Sequence, residues 1–193
     1  MIHRIPAAIG IALAALAISS AAAAPTAIAP AWTVDHAASS LKFAGVAQDT
    51  AFTGTFGKWD ATILFDPANL GASEATVTVD TASAQTGDPN KDGPLQEDSW
   101  FATKMFPTAT FKTTSIKSTG ANAYVAAGTL TIRGIAQPAN LPFTLTIDGA
   151  SAHMTGSLKL DRSSFQLGAG AWQDHSVEPE VTVNVDLTAH KAG

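Results

Sequence analysis

Four segments of this chain repeat one phrase, an apolar residue, a polar one (most often threonine), then an apolar one again. They are Ala75-Thr-Val-Thr-Val-Asp80, Gly128-Thr-Leu-Thr-Ile-Arg133, Phe143-Thr-Leu-Thr-Ile-Asp148 and Val181-Thr-Val-Asn-Val-Asp186. A period of two places one residue set on each face of a strand. The apolar set is Phe43, Phe56, Ile63, Phe65, Val77, Val79, Leu130, Ile132, Phe143, Leu145, Ile147, Leu158, Leu160, Val181, Val183 and Val185. The opposing polar set is Thr78, Thr129, Thr131, Thr144, Thr146 and Thr182. One apolar face and one polar face suit an antiparallel sheet that curls around its own core.

The pattern predicts strands over residues 41–47, 52–58, 59–65, 75–80, 108–116, 123–133, 141–148, 154–161 and 177–188. Turn chemistry separates them: Asp66 to Gly71, Ser118 to Gly120, Gly134 to Pro138 and Asp148-Gly149. This spacing predicts an all-β fold, a sandwich or a barrel, and the short connections favour antiparallel neighbours. A barrel of about eight strands is either just filled by side chains or holds one small ligand. Aromatic residues make up only 7% of the chain, which favours spare space over a packed plug.

Residues 86–107 break the alternation. Leu95, Trp100, Phe101, Met105 and Phe106 recur nearer to a helical period, so a loop followed by one short helix is expected there, stopped by Pro107. The segment suits a cover over one barrel end, and equally a satellite core under a long loop.

Residues 1–23 have a short charged start, an apolar stretch from Ile9 to Ile18 and a small-residue exit, the pattern of a secretory signal peptide. The apolar stretch is shorter than the roughly 20 residues of a membrane span. Cleavage after Ala23 is expected, since a cut one residue later would leave Pro25 at the new N-terminus. Residues 24–31, rich in Ala and Pro, read as a linker, and residues 32–193 as one domain, long enough for a single core. The absence of cysteine weakly favours a bacterial periplasm over a small disulfide scaffold. The net charge of −5 and the lack of a Lys/Arg cluster make nucleic acid a poor partner.

The candidates for chemistry are few. Asp88-Pro-Asn-Lys-Asp-Gly93 opens like a calcium loop, but Ser99 stands where a bidentate Glu should, so a polar turn is the better reading. His36, His153, His175 and His190 show no zinc spacing. Asp174-His175 reads as a solvated loop pair. Ser163-Ser164 lacks a nucleophile motif, and Glu178 and Glu180 read as carboxylates facing water. Without a catalytic constellation the chain reads as a container rather than an enzyme. Arg133 and Arg162, each at a strand end, are candidates to hold a ligand's polar head group, or else to form structural ion pairs with neighbours such as Asp161.

Taken in order, several pieces resemble the YceI-like family of exported bacterial proteins. They are Trp32-Thr-Val-Asp-His-Ala-Ala-Ser39 with Leu41-Lys-Phe43, Phe52-Thr-Gly-Thr-Phe56, Ile63-Leu-Phe-Asp66, and Trp100-Phe101 with Phe106-Pro107 and Phe111. Gly128 to Gly134 before Pro138, Asp161-Arg162 with Phe165 and Gly168, and the closing 177–187 strand complete the set. The resemblance implies a single antiparallel lipocalin-like barrel with one short helix in a long loop. It implies a periplasmic home and a bound isoprenoid lipid, a polyprenyl chain or a quinone tail; the residues themselves point to no other cofactor and no metal. Relatives linked to cytochrome b561-type membrane proteins suggest a membrane redox partner, with a filled barrel docking such a protein as the alternative. Gln48 stands where many relatives carry a second His, and Lys91-Asp-Gly-Pro-Leu95 where many carry Arg-Asp-x-His-Leu, so a paired-His role does not transfer. The ligand is expected against Phe43, Phe56, Ile63, Phe65, Val77, Leu130, Ile132, Phe143, Leu145 and Leu158, under a cover of Trp100, Phe101 and Phe106.

Overall fold

The computed structural model describes residues 28–170 and 176–193. The expected signal peptide, half of the expected linker (residues 24–27) and the Asp174-His175 pair lie outside the described residues.

Eleven strands and one helix follow in order: β1 (Ala31–Val34), β2 (Ser40–Ala47), β3 (Thr50–Phe56), β4 (Trp59–Leu64), β5 (Glu74–Asp80), β6 (Ala84–Gln85), α1 (Pro89–Leu95), β7 (Thr108–Ser118), β8 (Ala123–Ile132), β9 (Ile135–Asp148), β10 (Ser151–Asp161) and β11 (Glu180–Lys191). Every pairing is antiparallel. The order β1-β4-β5-β7-β8-β9-β10-β11 closes through β1 on β11, giving an eight-stranded barrel. The remaining strands extend three of its staves. β1 and β2 both pair with β11, β1 against 189–191 and β2 against 182–186, so together they form one kinked strand. β3 pairs with β2 and with β6 as β4 pairs with β1 and β5.

Two of the three kinks are written in the sequence. Asp35, after β1, and Asp80, the last residue of β5, each cap a 3-10 turn with a carboxylate, and Asp161 does the same at the end of β10. Asp35 accepts from the backbone N–H of Ala37 and Ala38 at 3.0 and 3.2 Å, Asp80 from Ala82 at 2.9 Å, and Asp161 from Ser163 at 2.8 Å. A capped turn satisfies backbone donors that an interrupted strand would orphan.

Four features differ from the sequence reading. β1 begins at Ala31, inside the expected linker, and the Pro30 carbonyl already accepts from Phe65 N at 2.9 Å. β9 begins at Ile135, not residue 141, because the turn needs only Arg133 and Gly134, both left-handed at φ +53° and +72°. Pro138 and Pro142 are tolerated inside β9 because β10 pairs only with residues 143–148, so their missing N–H groups break no ladder there. The helix is α1, seven residues long and ending five residues before Trp100: Asp88 caps it, Pro89 opens it, and residues 96–105 continue as turns. Among the described residues no helix is long and apolar enough to cross a membrane.

One end of the barrel, here the lower, carries the 65–73, 119–122 and 149–150 connections. The upper end carries the 48–49 and 133–134 turns, the long segment 86–107 and residues 162–170 and 176–179.

Candidate functional site

Alternation fills the interior from all eight staves. Each of the sixteen apolar positions singled out in the sequence lines an internal cavity, and none of the six opposing threonines does. The interior is not filled. An upper chamber of about 440 Å³ and a lower one of about 120 Å³ share the walls Leu41, Val77, Phe111, Leu141 and Val185, a common waist. The upper volume falls within the range of small-molecule sites, about 300–1,000 Å³.

Glycines help to keep the upper chamber open. Gly54 faces Phe43 across β2–β3, and Gly45 faces Phe52. A Cβ on Gly54 would lie 2.2 Å from the Phe43 ring, and one on Gly45 2.9 Å from the Phe52 ring. Each ring therefore lies flat over a bare backbone instead of standing into the bore.

Phe43, Phe56, Leu130, Ile132, Leu158, Trp100 and Phe101 line the upper chamber, and Val77 lines both. Ile63, Phe65, Phe143 and Leu145 line the lower one. Phe106 lines neither: its ring lies against Gly134, outside the bore, and its carbonyl accepts from Thr81 Oγ1 at 2.8 Å. Leu41, Phe52, Ala109, Phe111, Leu141, Leu167 and Val177 also line the upper chamber and were absent from the sequence selection. Leu41 and Leu141 precede selected phenylalanines by two residues, so alternation alone could have found them. Phe111 was obscured by a bulge between Thr113 and Ser115, which reverses the inward parity of β7 before Ile116.

The cover is pinned by the two arginines. Arg133 Nη1 donates to the carbonyls of Trp100 and Gln166 at 2.6 and 3.0 Å and does not reach the chamber. Arg162 lies in the chamber wall, 4% exposed. Its Nε, Nη1 and Nη2 donate to the carbonyls of Glu178, Leu167 and Val177 at 3.1, 2.6 and 2.5 Å, and its guanidinium sits 5.4 Å from the Trp100 ring centre. Burial pushes its pKa down while Asp161 and Glu178 pull it up. It remains charged, as guanidinium groups in proteins do. Both side chains thus hold the upper loops through backbone carbonyls. Phe101 packs edge-on against Phe56 at 6.1 Å and closes part of the upper end.

The chamber opens between the 48–49 turn, α1 and Ser176-Val177, where Gln48, Thr86, Asp88, Asn90 and Lys91 supply a polar rim. The calcium-like motif stands here. Asp88 bonds to Lys91 and to Asn90 N, while Asp92 accepts from Thr86 N and Oγ1 at 2.6 and 2.7 Å. These bonds hold both carboxylates below the usual range. The described histidines lie on the outside, beside carboxylates: His36 with Asp60, His153 with Asp186, His190 with Asp35. No group of three potential metal ligands forms among the described residues.

A closed antiparallel barrel with a hollow apolar bore and a polar rim at one end defines a class of cavity-bearing β-barrels. The model of the YceI-like domain matches residues 32–189, and the chain belongs to that family. A UPF0312 protein of Ectopseudomonas mendocina is 34% identical over 131 residues, 66% of this chain and 68% of that one. The crystal structure of Burkholderia cenocepacia BcnA superposes with a TM-score of 0.77 at 35% identity, covering 80% of this chain and 98% of its own. A polyisoprenoid binding domain from Saccharophagus degradans, implicated in plant cell wall breakdown, shares the fold at 18% identity. Its TM-score is 0.67, and the match covers 84% of this chain and 99% of that one.

Proposed function

We propose that the protein is a periplasmic carrier that holds a polyisoprenoid or isoprenoid-quinone chain in its bore, without turnover. One observation carries this reading. Leu130, Leu158, Leu160, Val181, Val183 and Val185 point inward yet remain only half-buried, because they face empty apolar space. In a filled barrel such positions would be buried outright. Each methylene moved there from water contributes about 0.8 kcal/mol, so a tail of a few isoprene units offsets the ordering cost of binding without strong polar contacts. The description of the Saccharophagus domain as polyisoprenoid binding supports the same ligand class, and the signal-peptide pattern of residues 1–23 supports the periplasmic location. The polar rim receives the head group. The alternative, a filled barrel acting through its surface on a membrane redox protein, requires an interior that leaves no such chambers.

The test is to isolate the protein from its native compartment, extract it with organic solvent and identify the lipid by mass spectrometry, with titration of the emptied protein by prenyl alcohols. A stoichiometric prenyl chain is expected. An extract without apolar chains, from a protein that also fails to take one up, would overturn the proposal.

A further inference from the structure

We infer that the lower chamber is a length gauge, a second compartment for the far end of the bound chain, and that its volume decides which chain lengths are held. The inference rests on the carrier reading above and goes beyond it to the ligand's size. The waist residues Phe111 and Leu141 line both chambers, so the two adjoin there, and an apolar chain that fills the upper chamber needs only a shift of these side chains to reach the lower one. The lower compartment is kept open by small side chains set directly beside large ones. Ala61 pairs with Val77, Ala126 with Leu141, and Ala152 lies between Ile147 and Ala189. An ordinary core would fill such a space with a valine or leucine, since unfilled volume costs stability. Here about 120 Å³ remains beside the Phe65, Tyr124 and Phe143 ring contacts. A chain short enough for the upper chamber does not use that volume. A longer one must.

Ala61→Ile narrows the lower chamber alone, because Ala61 lines no part of the upper one. The full mature protein and this variant are titrated with farnesol and with octaprenol, and thermal unfolding is followed in parallel. Octaprenol affinity is expected to fall about tenfold or more, with farnesol affinity changing less than about twofold. The melting temperature should hold or rise, as cavity filling usually stabilises. Leu145→Ala, which enlarges the lower chamber, should shift the ratio toward octaprenol. A ratio of the two dissociation constants that stays constant across both variants overturns the gauge. Failure of the unaltered protein to bind either alcohol overturns the carrier reading itself.

Discussion

Along β11, Leu187 and Ala189 at the lower end are 7% and 2% exposed, while Val181 and Val183, a few residues earlier on the same inward face, stay half-buried. The two ends of the bore draw on the same alternating strands and differ in how much of the interior they leave empty. At the lower end Phe65, Tyr124 and Phe143 form a chain of ring contacts, 5.6 and 5.3 Å between centres, and the Trp32 indole N–H donates to the Phe65 carbonyl at 3.0 Å. At the upper end Phe43 and Phe52 lie flat over Gly54 and Gly45. Composition therefore does not distinguish the two ends. Ring contacts and facing glycines occur at both: Phe43 lies 5.0 Å from Phe56 at the upper end, and Phe143 faces Gly156 at the lower. What distinguishes them is the space left empty, about 440 Å³ above and about 120 Å³ below.

The largest test of this contrast is a charge placed at each end. Leu187→Glu should unfold the domain or cost more than about 3 kcal/mol, because position 187 is only 7% exposed and a carboxylate there has no partner. Val181→Glu, facing the open chamber, should leave the thermal transition close to that of the unaltered protein and abolish uptake of a prenyl chain. Parallel thermal melts and lipid titrations read both, and equal destabilisation at the two sites would show that the chamber is not open in solution.

Arg162→Ala comes next. It leaves the carbonyls of Leu167, Val177 and Glu178 without these donors, a loss on the order of 3 kcal/mol. Hydrogen exchange should accelerate across the upper loops and not across the 119–122 and 149–150 turns. Gly54→Ala follows. Its methyl group must displace the Phe43 ring, at about 1–3 kcal/mol for overpacking, and a ring pushed into the bore should weaken ligand binding. Calorimetry and titration separate the two effects.

Acid should produce the smallest effect. Lys91 and Asn90 hold Asp88 low, Thr86 holds Asp92 low and Ser163 holds Asp161 low, and all three carboxylates lie at the upper end. Because their folded values lie below the ordinary 3.8, they favour the fold fully above that pH. The contribution is lost as pH falls through the depressed values. Below about pH 3.8 the upper loops should loosen before the lower end does, which residue-resolved hydrogen exchange will register.

The strands and the facing of their side chains were legible because a period of two is a local property. The turn-capping role of Asp35, Asp80 and Asp161 was not, because it depends on where the backbone donors stand. The helix was misplaced because the spacing of Trp100, Phe101 and Phe106 imitates a helical repeat, whereas Asp88-Pro89 supplies an actual start signal. Phe106 read as part of the cover because it is aromatic and adjacent to Phe101. The left-handed Ala102, at φ +47°, redirects the chain between them.

Alternation alone commits this chain to antiparallel strands with an apolar interior face, since it admits no other regular structure that buries so many branched side chains together. That the interior is hollow, that it has two chambers, and that both arginines hold the loops at its upper end emerge only once the strands are assembled. Those properties depend on which residues face one another across strands distant in sequence, such as Phe43 over Gly54 or Arg162 beneath Val177, and no local pattern encodes the distance across a bore.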